Sequence, residues 1–300
     1  MTEVIVNDEE RRPSIPLPIQ RAVRQRCSFG CVICGLPLYE YHHMVPYAEV
    51  KKHEEINLTL LCDVHHKEVT VGLLTPEQVS KANISPYNVR KGVSSPFALH
   101  FSGTAINVEI GSNSLLGGVA HPDGGIAFIP VSVDDNDIFS FRVDEEGKIF
   151  FNMFILDECN LPLLVIQDNA LMYKTDIWDI AFKGTNLTLR QSSRDIFLDI
   201  QFCPPDKIRI IRGRLLCNGV EIIVQKNYLL IVNNGVVLSG MTFKSGGEIG
   251  LQLGKNERQY RSMLTTSSST LKRYGVDRDG AMRTAKKAMD QFTPKRKKRT

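Results

Sequence analysis

Two short pairs of metal-ligand residues, Cys31-Val32-Ile33-Cys34 and Cys62-Asp63-Val64-His65, constrain this chain more than any other feature. Two intervening residues put both donors of a pair on one tight backbone knuckle. Two such knuckles supply the four soft or borderline ligands of a tetrahedral zinc site, here Cys3His. Cys62 follows Cys34 by 28 positions, so a short segment carries the whole set. Such a segment buries little core of its own, and metal binding is expected to supply much of its folding free energy. Cys27 fits the spacing less well and is read as a buried thiol. The chain has seven cysteines and begins without a basic then apolar leader. Both facts favour thiols and metal over disulfides, and a cytoplasmic, reducing compartment.

Four further residues flank the knuckles without being needed by the zinc: His42, His43, Asn57 and His66. Neighbouring residues of an extended segment face opposite sides, so His42 and His43 are expected to meet different partners. His66 opens a predicted helix directly after the second knuckle. Cys-x2-Cys, then His-His-x-x-Pro, then Asn-Leu-x-x-Leu-Cys-x2-His-His resembles the HNH endonucleases, the zinc-framed branch of the ββα-metal nucleases. The resemblance covers residues 27–72, and the thirteen residues between His43 and Asn57 suit that family's spacing.

The resemblance implies a role for each matched position. His43 would be the general base that activates water, and His42 and His66 would hold one catalytic divalent cation. Asn57 would hold the loop and the imidazole orientation or help with that cation. Cys31, Cys34, Cys62 and His65 would hold structural zinc. The chain departs from the family in having His65 where Cys is more frequent, and His42-His43 in place of Asp-His. An imidazole-rich set leaves the catalytic metal open among Mg²⁺, Mn²⁺ and later transition metals. The expected activity is metal-dependent hydrolysis of DNA phosphodiester bonds, since a neutral imidazole is a suitable base near neutral pH. Arg24, Arg26 and Lys67 lie close enough in sequence to be candidates for phosphate contacts. The alternative is a zinc-stabilised binding module without cleavage. No His-Glu-x-x-His occurs, so nothing points to a zinc protease.

The pattern changes after residue 95. A short helix is predicted over Ile19–Arg26, and another over 75–82 with Thr75 as N-cap and Pro76 at the first helical position. Residues 83–95 read as a linker. From 96 to 254, β-branched and aromatic runs recur between turn residues: 106–110, 126–133, 138–143, 149–155, 163–166, 177–182, 196–202, 208–211, 220–224 and 228–232. They predict an all-β domain, whether sandwich, barrel or solenoid, and Asn218-Gly219 predicts a type I′ hairpin. Residues 271–292 predict a helix. The expected fold is therefore α+β: an HNH domain (1–95), an all-β domain (96–254) and a basic helical tail (255–300).

Charge follows the same division. The three parts carry net charges of 0, −6 and +10. A basic end, with Lys295, Arg296, Lys297, Lys298 and Arg299 as its densest run, suits a polyanion such as DNA. A solvated tail would have the same composition. The acidic β domain suits regulation or assembly, through a partner protein or a small-molecule regulator, better than broad DNA contact. Cutting both strands with one site per chain would favour a homodimer or higher homo-oligomer. No apolar run approaches the ~20 residues of a membrane span. A nuclease cassette joined to a β domain is compatible with prokaryotic or phage defence or restriction.

Overall fold

The computed structural model describes residues 13–292 except 101, 104, 123, 174–176 and 245, with the side chains of 173, 291 and 292 also set aside. The chain is mixed α+β with β structure predominant, and among the described residues no sheet closes into a barrel. Its N-terminal part holds α1 (Leu17–Arg26), β1 (Glu40–His43), α2 (Tyr47–Val50), β2 (Leu58–Leu61), α3 (Asp63–Thr70), α4 (Pro76–Ile84) and α5 (Tyr87–Lys91). β1 and β2 form an antiparallel pair in which His42 lies opposite Thr59 and His43 opposite Leu58. A small core of its own, including Val23, Val32, Leu58, Leu60 and Val79, underlies them.

Local chemistry explains several of these boundaries. Pro16 precedes α1, and Pro18 sits where the missing N–H costs nothing. At α4, the Thr75 side chain accepts from Gln78 N–H while Gln78 reaches back to Thr75 N–H, a complete capping box. Residues 83–95 are not the expected linker. They contain α5, whose Asn88 is buried and donates to the Ser28 carbonyl at 2.8 Å, while Tyr87 N–H bonds to the Val32 carbonyl at 3.0 Å. Gly35, at φ +79°, leaves the space that α5 fills: a Cβ there would lie 2.3 Å from Tyr87 and Asn88 atoms.

The strands that follow are β3 (Ile106–Ile110), β4 (Asn113–Gly117), β5 (Val119–Ala120), β6 (Ile126–Val133), β7 (Asn136–Val143), β8 (Ile149–Leu156), β9 (Pro162–Gln167) and β10 (Ala170–Tyr173). Next come β11 (Asp179–Lys183), β12 (Asn186–Arg190), β13 (Ile196–Cys203), β14 (Lys207–Cys217), β15 (Val220–Gln225), β16 (Tyr228–Ile231), β17 (Val236–Leu238), β18 (Thr242–Lys244), β19 (Ile249–Leu253) and β20 (Ser262–Thr266). α6 (Arg278–Phe292) closes the described chain.

Two sheets share one core. The first runs β10-β9-β8-β7-β6-β19-β20 with β5 on β6, and the second runs β11 to β17 in chain order. In the second, β14 pairs in parallel with β3 through residues 207–210 and antiparallel with β15 through residues 213–217. β3 pairs with β4, and β18 lies parallel beside β4. Phe141 and Phe151 of the first sheet stack at 4.9 Å, and Phe151 meets Phe202 of the second at 6.0 Å. The Asn218-Gly219 hairpin joins β14 to β15 with φ of 49° and 69°, as the type I′ reading requires.

Strand structure extends past residue 254, because β20 pairs in parallel with β19 inside the first sheet. The C-terminal helix begins at Arg278, seven residues later than expected from Leu271. Its Met282, Ala285 and Met289 pack on Ile223, Tyr228, Leu230 and Val232 of β15–β16 and the residue after them. With one face of β15–β16 in the core and the other under α6, both strands are apolar almost throughout.

Candidate functional site

The loop between Cys27 and Leu36 turns tightly, with Ser28 and Phe29 at φ 53° and 58°. Gly35 N–H bonds to the Cys31 carbonyl at 2.7 Å, and Val32 N–H bonds to the Leu60 carbonyl at 3.0 Å, which fastens the first knuckle to β2. The second knuckle forms where β2 ends and α3 begins, so His65 turns back toward Cys62 within one helical turn. The donor atoms of Cys31, Cys34, Cys62 and His65 all lie within 4.8 Å of one another. Cys34 Sγ is 3.8 Å from Cys62 Sγ, and His65 Nδ1 is 3.5 Å from Cys31 Sγ and 3.0 Å from Cys62 Sγ. Ordinary Zn–S and Zn–N bonds in a tetrahedron put S···S at about 3.8 Å and S···N at about 3.6 Å. The donors and their spacing therefore fit a tetrahedral metal ion, and the expected Cys3His set is assembled.

The electrostatics agree. The Cys31 thiol is lowered to about 5, chiefly by the hydrogen bond from Cys34 and then by nearby backbone N–H groups, while Cys34 and Cys62 are pushed up. Three sulfurs this close cannot all carry charge without a cation between them. His65 Nε2 lies 3.9 Å from Glu68 Oε2, one helical turn on, which favours Nδ1 as the metal-facing nitrogen. Cys27 stays outside the cluster, buried, with its thiol 3.7 Å from Thr59 Oγ1 and raised in pKa by burial.

On the other side of β2, β1 presents its two histidines to different neighbours. The His42 ring lies 5.2 Å from the His66 ring at 84°, an edge contact between β1 and the first turn of α3. Burial and then the neighbouring His66 lower the His42 pKa, so that imidazole favours its neutral form. His43, on the opposite face, has its Nε2 3.2 Å from His53 Nδ1 and its ring 5.6 Å from Tyr47. His53 Nε2 bonds to the Pro13 carbonyl at 2.7 Å. A carbonyl only accepts, so this His53 nitrogen carries a proton.

Asn57 closes the loop between the strands. Its carbonyl accepts from Met44 N–H at 2.8 Å, and its Nδ2 donates to Glu54 Oε2 at 2.9 Å. These two bonds tie Asn57 to the residue after β1 and to the loop before β2. The partner on His43 Nε2 is His53, which sequence reasoning missed. Only its position in the His43–Asn57 loop could have drawn attention to it.

The basic candidates divide. Arg24 is almost fully buried and donates to both oxygens of Asp179 on β11, at 2.8 and 2.6 Å, and to Tyr41 Oη at 2.7 Å. Burial opposes its charge, but the Asp179 hydrogen bonds outweigh this and raise its pKa. Arg26 donates to the Glu55 carbonyl at 2.9 Å and to the Leu58 carbonyl. Both arginines are therefore committed inside the protein, Arg24 as a clasp between α1 and the second sheet and Arg26 as a latch on the loop before β2. Lys67 is exposed on α3, next to His66. Lys295, Arg296, Lys297, Lys298 and Arg299 lie outside the described residues. No helix among the described residues is long and apolar enough to cross a membrane.

Comparison with protein-family models, with curated proteins and with solved structures finds no match for this chain.

Proposed function

We propose that this chain is a metal-dependent DNA endonuclease of the HNH type, with zinc in the Cys3His cluster and a divalent cation at His42 and His66. The observation that carries the reading is the β1–β2–α3 unit, which puts the His42 and His66 rings 5.2 Å apart while the same α3 holds a donor of the Cys3His cluster. Two imidazoles sharing one ion at ordinary metal–nitrogen distances have ring centres about 5 Å apart. The lowered pKa of His42 supports the same role, because only neutral imidazole binds metal.

In this reading the scissile phosphate lies at the end of β1, where His43 is the last residue. His43 takes a proton from water as the new P–O bond forms and the bond to the 3′-oxygen breaks. The departing alkoxide takes a proton from solvent. The contact of His43 Nε2 with His53 at 3.2 Å holds the imidazole in place for this transfer. His42 and His66 would hold a divalent cation, which would stabilise the developing negative charge. The test is incubation of supercoiled plasmid with the protein or His43→Ala, with Mg²⁺ or Mn²⁺ and with EDTA. Metal-dependent nicking or linearisation that vanishes in His43→Ala is expected. Equal cutting by both proteins would remove His43 as the base. Absence of cutting by either would favour the zinc-stabilised binding module.

A further inference from the structure

The second sheet carries a pocket far along the chain from the zinc cluster, at the start of α6. Its volume is about 320 Å³, and arginines from three segments line it. Arg194 comes from the turn between β12 and β13, Arg212 and Arg214 from β14, and Arg278 from the first residue of α6. Arg212 and Arg214 are two positions apart on one strand and so share a face. Asp195 is the acidic residue among the lining groups.

The four cations are not equally occupied. Arg214 donates to Glu221 at 2.6 Å and to Glu158 at 2.7 Å, and Arg278 reaches the same Glu221 oxygen at 2.9 Å. Glu158 and Glu221 fix these two side chains without lining the cavity. Arg194 and Arg212 are exposed, and among the described residues no acidic group forms an ion pair with either. With Arg214 and Arg278 held by Glu221 and Glu158, Arg194 and Arg212 are the two lining cations left to meet an anion from solution. Planar guanidinium forks pair bidentately with phosphate oxygens, and Arg is over-represented wherever phosphate is recognised in this way.

We propose that this pocket binds a small phosphorylated ligand of nucleotide size. A compact ligand fits better than a nucleic-acid backbone. Three of the four arginines belong to residues 96–254, which carry net −6, so on these strands the positive charge is gathered locally rather than spread over a broad face. A volume of about 320 Å³ exceeds that of a phosphate group and falls within the usual range for small-molecule sites. The inference does not depend on the nuclease reading, because binding here requires no cleavage.

The test is isothermal titration of the full chain, without added divalent cation, with AMP, adenosine, inorganic phosphate and a short DNA duplex. The Arg194→Gln/Arg212→Gln double variant is the comparison, since among the described residues neither arginine forms an ion pair, and its circular dichroism and melting temperature should match the parent. AMP is expected to bind and adenosine to bind at least tenfold more weakly. Inorganic phosphate should compete with AMP, and the double variant should lose at least tenfold in AMP affinity. The proposal is overturned if the parent binds AMP no better than adenosine, or if the folded variant binds AMP as the parent does. Tighter binding of duplex than of AMP, lost in the same variant, would overturn it in favour of a nucleic-acid backbone.

Discussion

At the scale of single residues, the same side-chain type does opposite work depending on its neighbours. Arg24 and Asp179 are both buried and satisfy each other through two hydrogen bonds, with Arg21 close by at 3.6 Å from the same carboxylate. Removing one partner leaves a buried charge unpaired, which typically costs about 3–5 kcal/mol. Asp179→Ala is therefore expected to lower stability by about 3 kcal/mol in denaturant titration, and an unchanged midpoint would show that the clasp is dispensable. His53 makes a comparable case at the proposed active site. Loss of the group that orients a functional imidazole commonly costs about 10–100-fold, so His53→Ala should slow plasmid cutting by that factor while zinc content stays constant. None of this was legible in sequence. Arg24 looked like a phosphate ligand because its partner stands 155 positions away. His53 lies ten positions from His43 in a loop whose path the local sequence does not dictate.

At the scale of elements, local rules were much more informative. Thr75-Pro76 with Gln78 specifies the start of α4 by hydrogen-bond donors within four residues, and Asn218-Gly219 specifies a hairpin by two positive φ angles. The knuckle spacing carried the Cys3His cluster for the same reason. The reading failed at 83–95, expected as a linker, because Tyr87 N–H bonds to the Val32 carbonyl inside the first knuckle and Asn88 to the Ser28 carbonyl just before it, so α5 packs with the Cys3His cluster. This makes a prediction for the unit as a whole. The purified chain should carry about one zinc. Chelation should expose residues 17–91 to limited proteolysis while the sheets resist, because the metal supplies much of the folding energy of so small a core. Uniform resistance after complete zinc removal would show that the core of Val23, Leu58, Leu60 and their neighbours suffices alone.

At the scale of the whole molecule, distant segments are fastened by ion pairs whose pH response has a definite sign. Glu109 on β3 accepts from Lys207 and Arg209 at 2.6 and 2.5 Å, where β3 joins β14. Asp134 accepts from Arg273 at 2.8 Å and Lys255 N–H at 3.0 Å, tying the C-terminal segment to the turn after β6. Burial works against both charges, but these partners prevail and lower both carboxyl groups below their ordinary values. Depressed carboxyl groups stabilise the fold above the unfolded pKa, about 4, and that contribution is lost as pH falls through the folded values. Melting temperature should therefore hold between pH 7 and 5 and fall below about 4, and Glu109→Gln with Asp134→Asn should flatten that fall. What the sequence determined by itself was whatever depends on residues near one another in the chain: the Cys3His knuckles, the helix caps, the hairpin turn and the β character of 106–232. Tertiary structure alone decided the parallel pairing of β14 with β3 and of β20 with β19, the Arg24–Asp179 clasp and the gathering of four arginines at α6. Each of these joins groups far apart in the chain, so the energy that selects it comes from burying and pairing them together and leaves no local pattern to read.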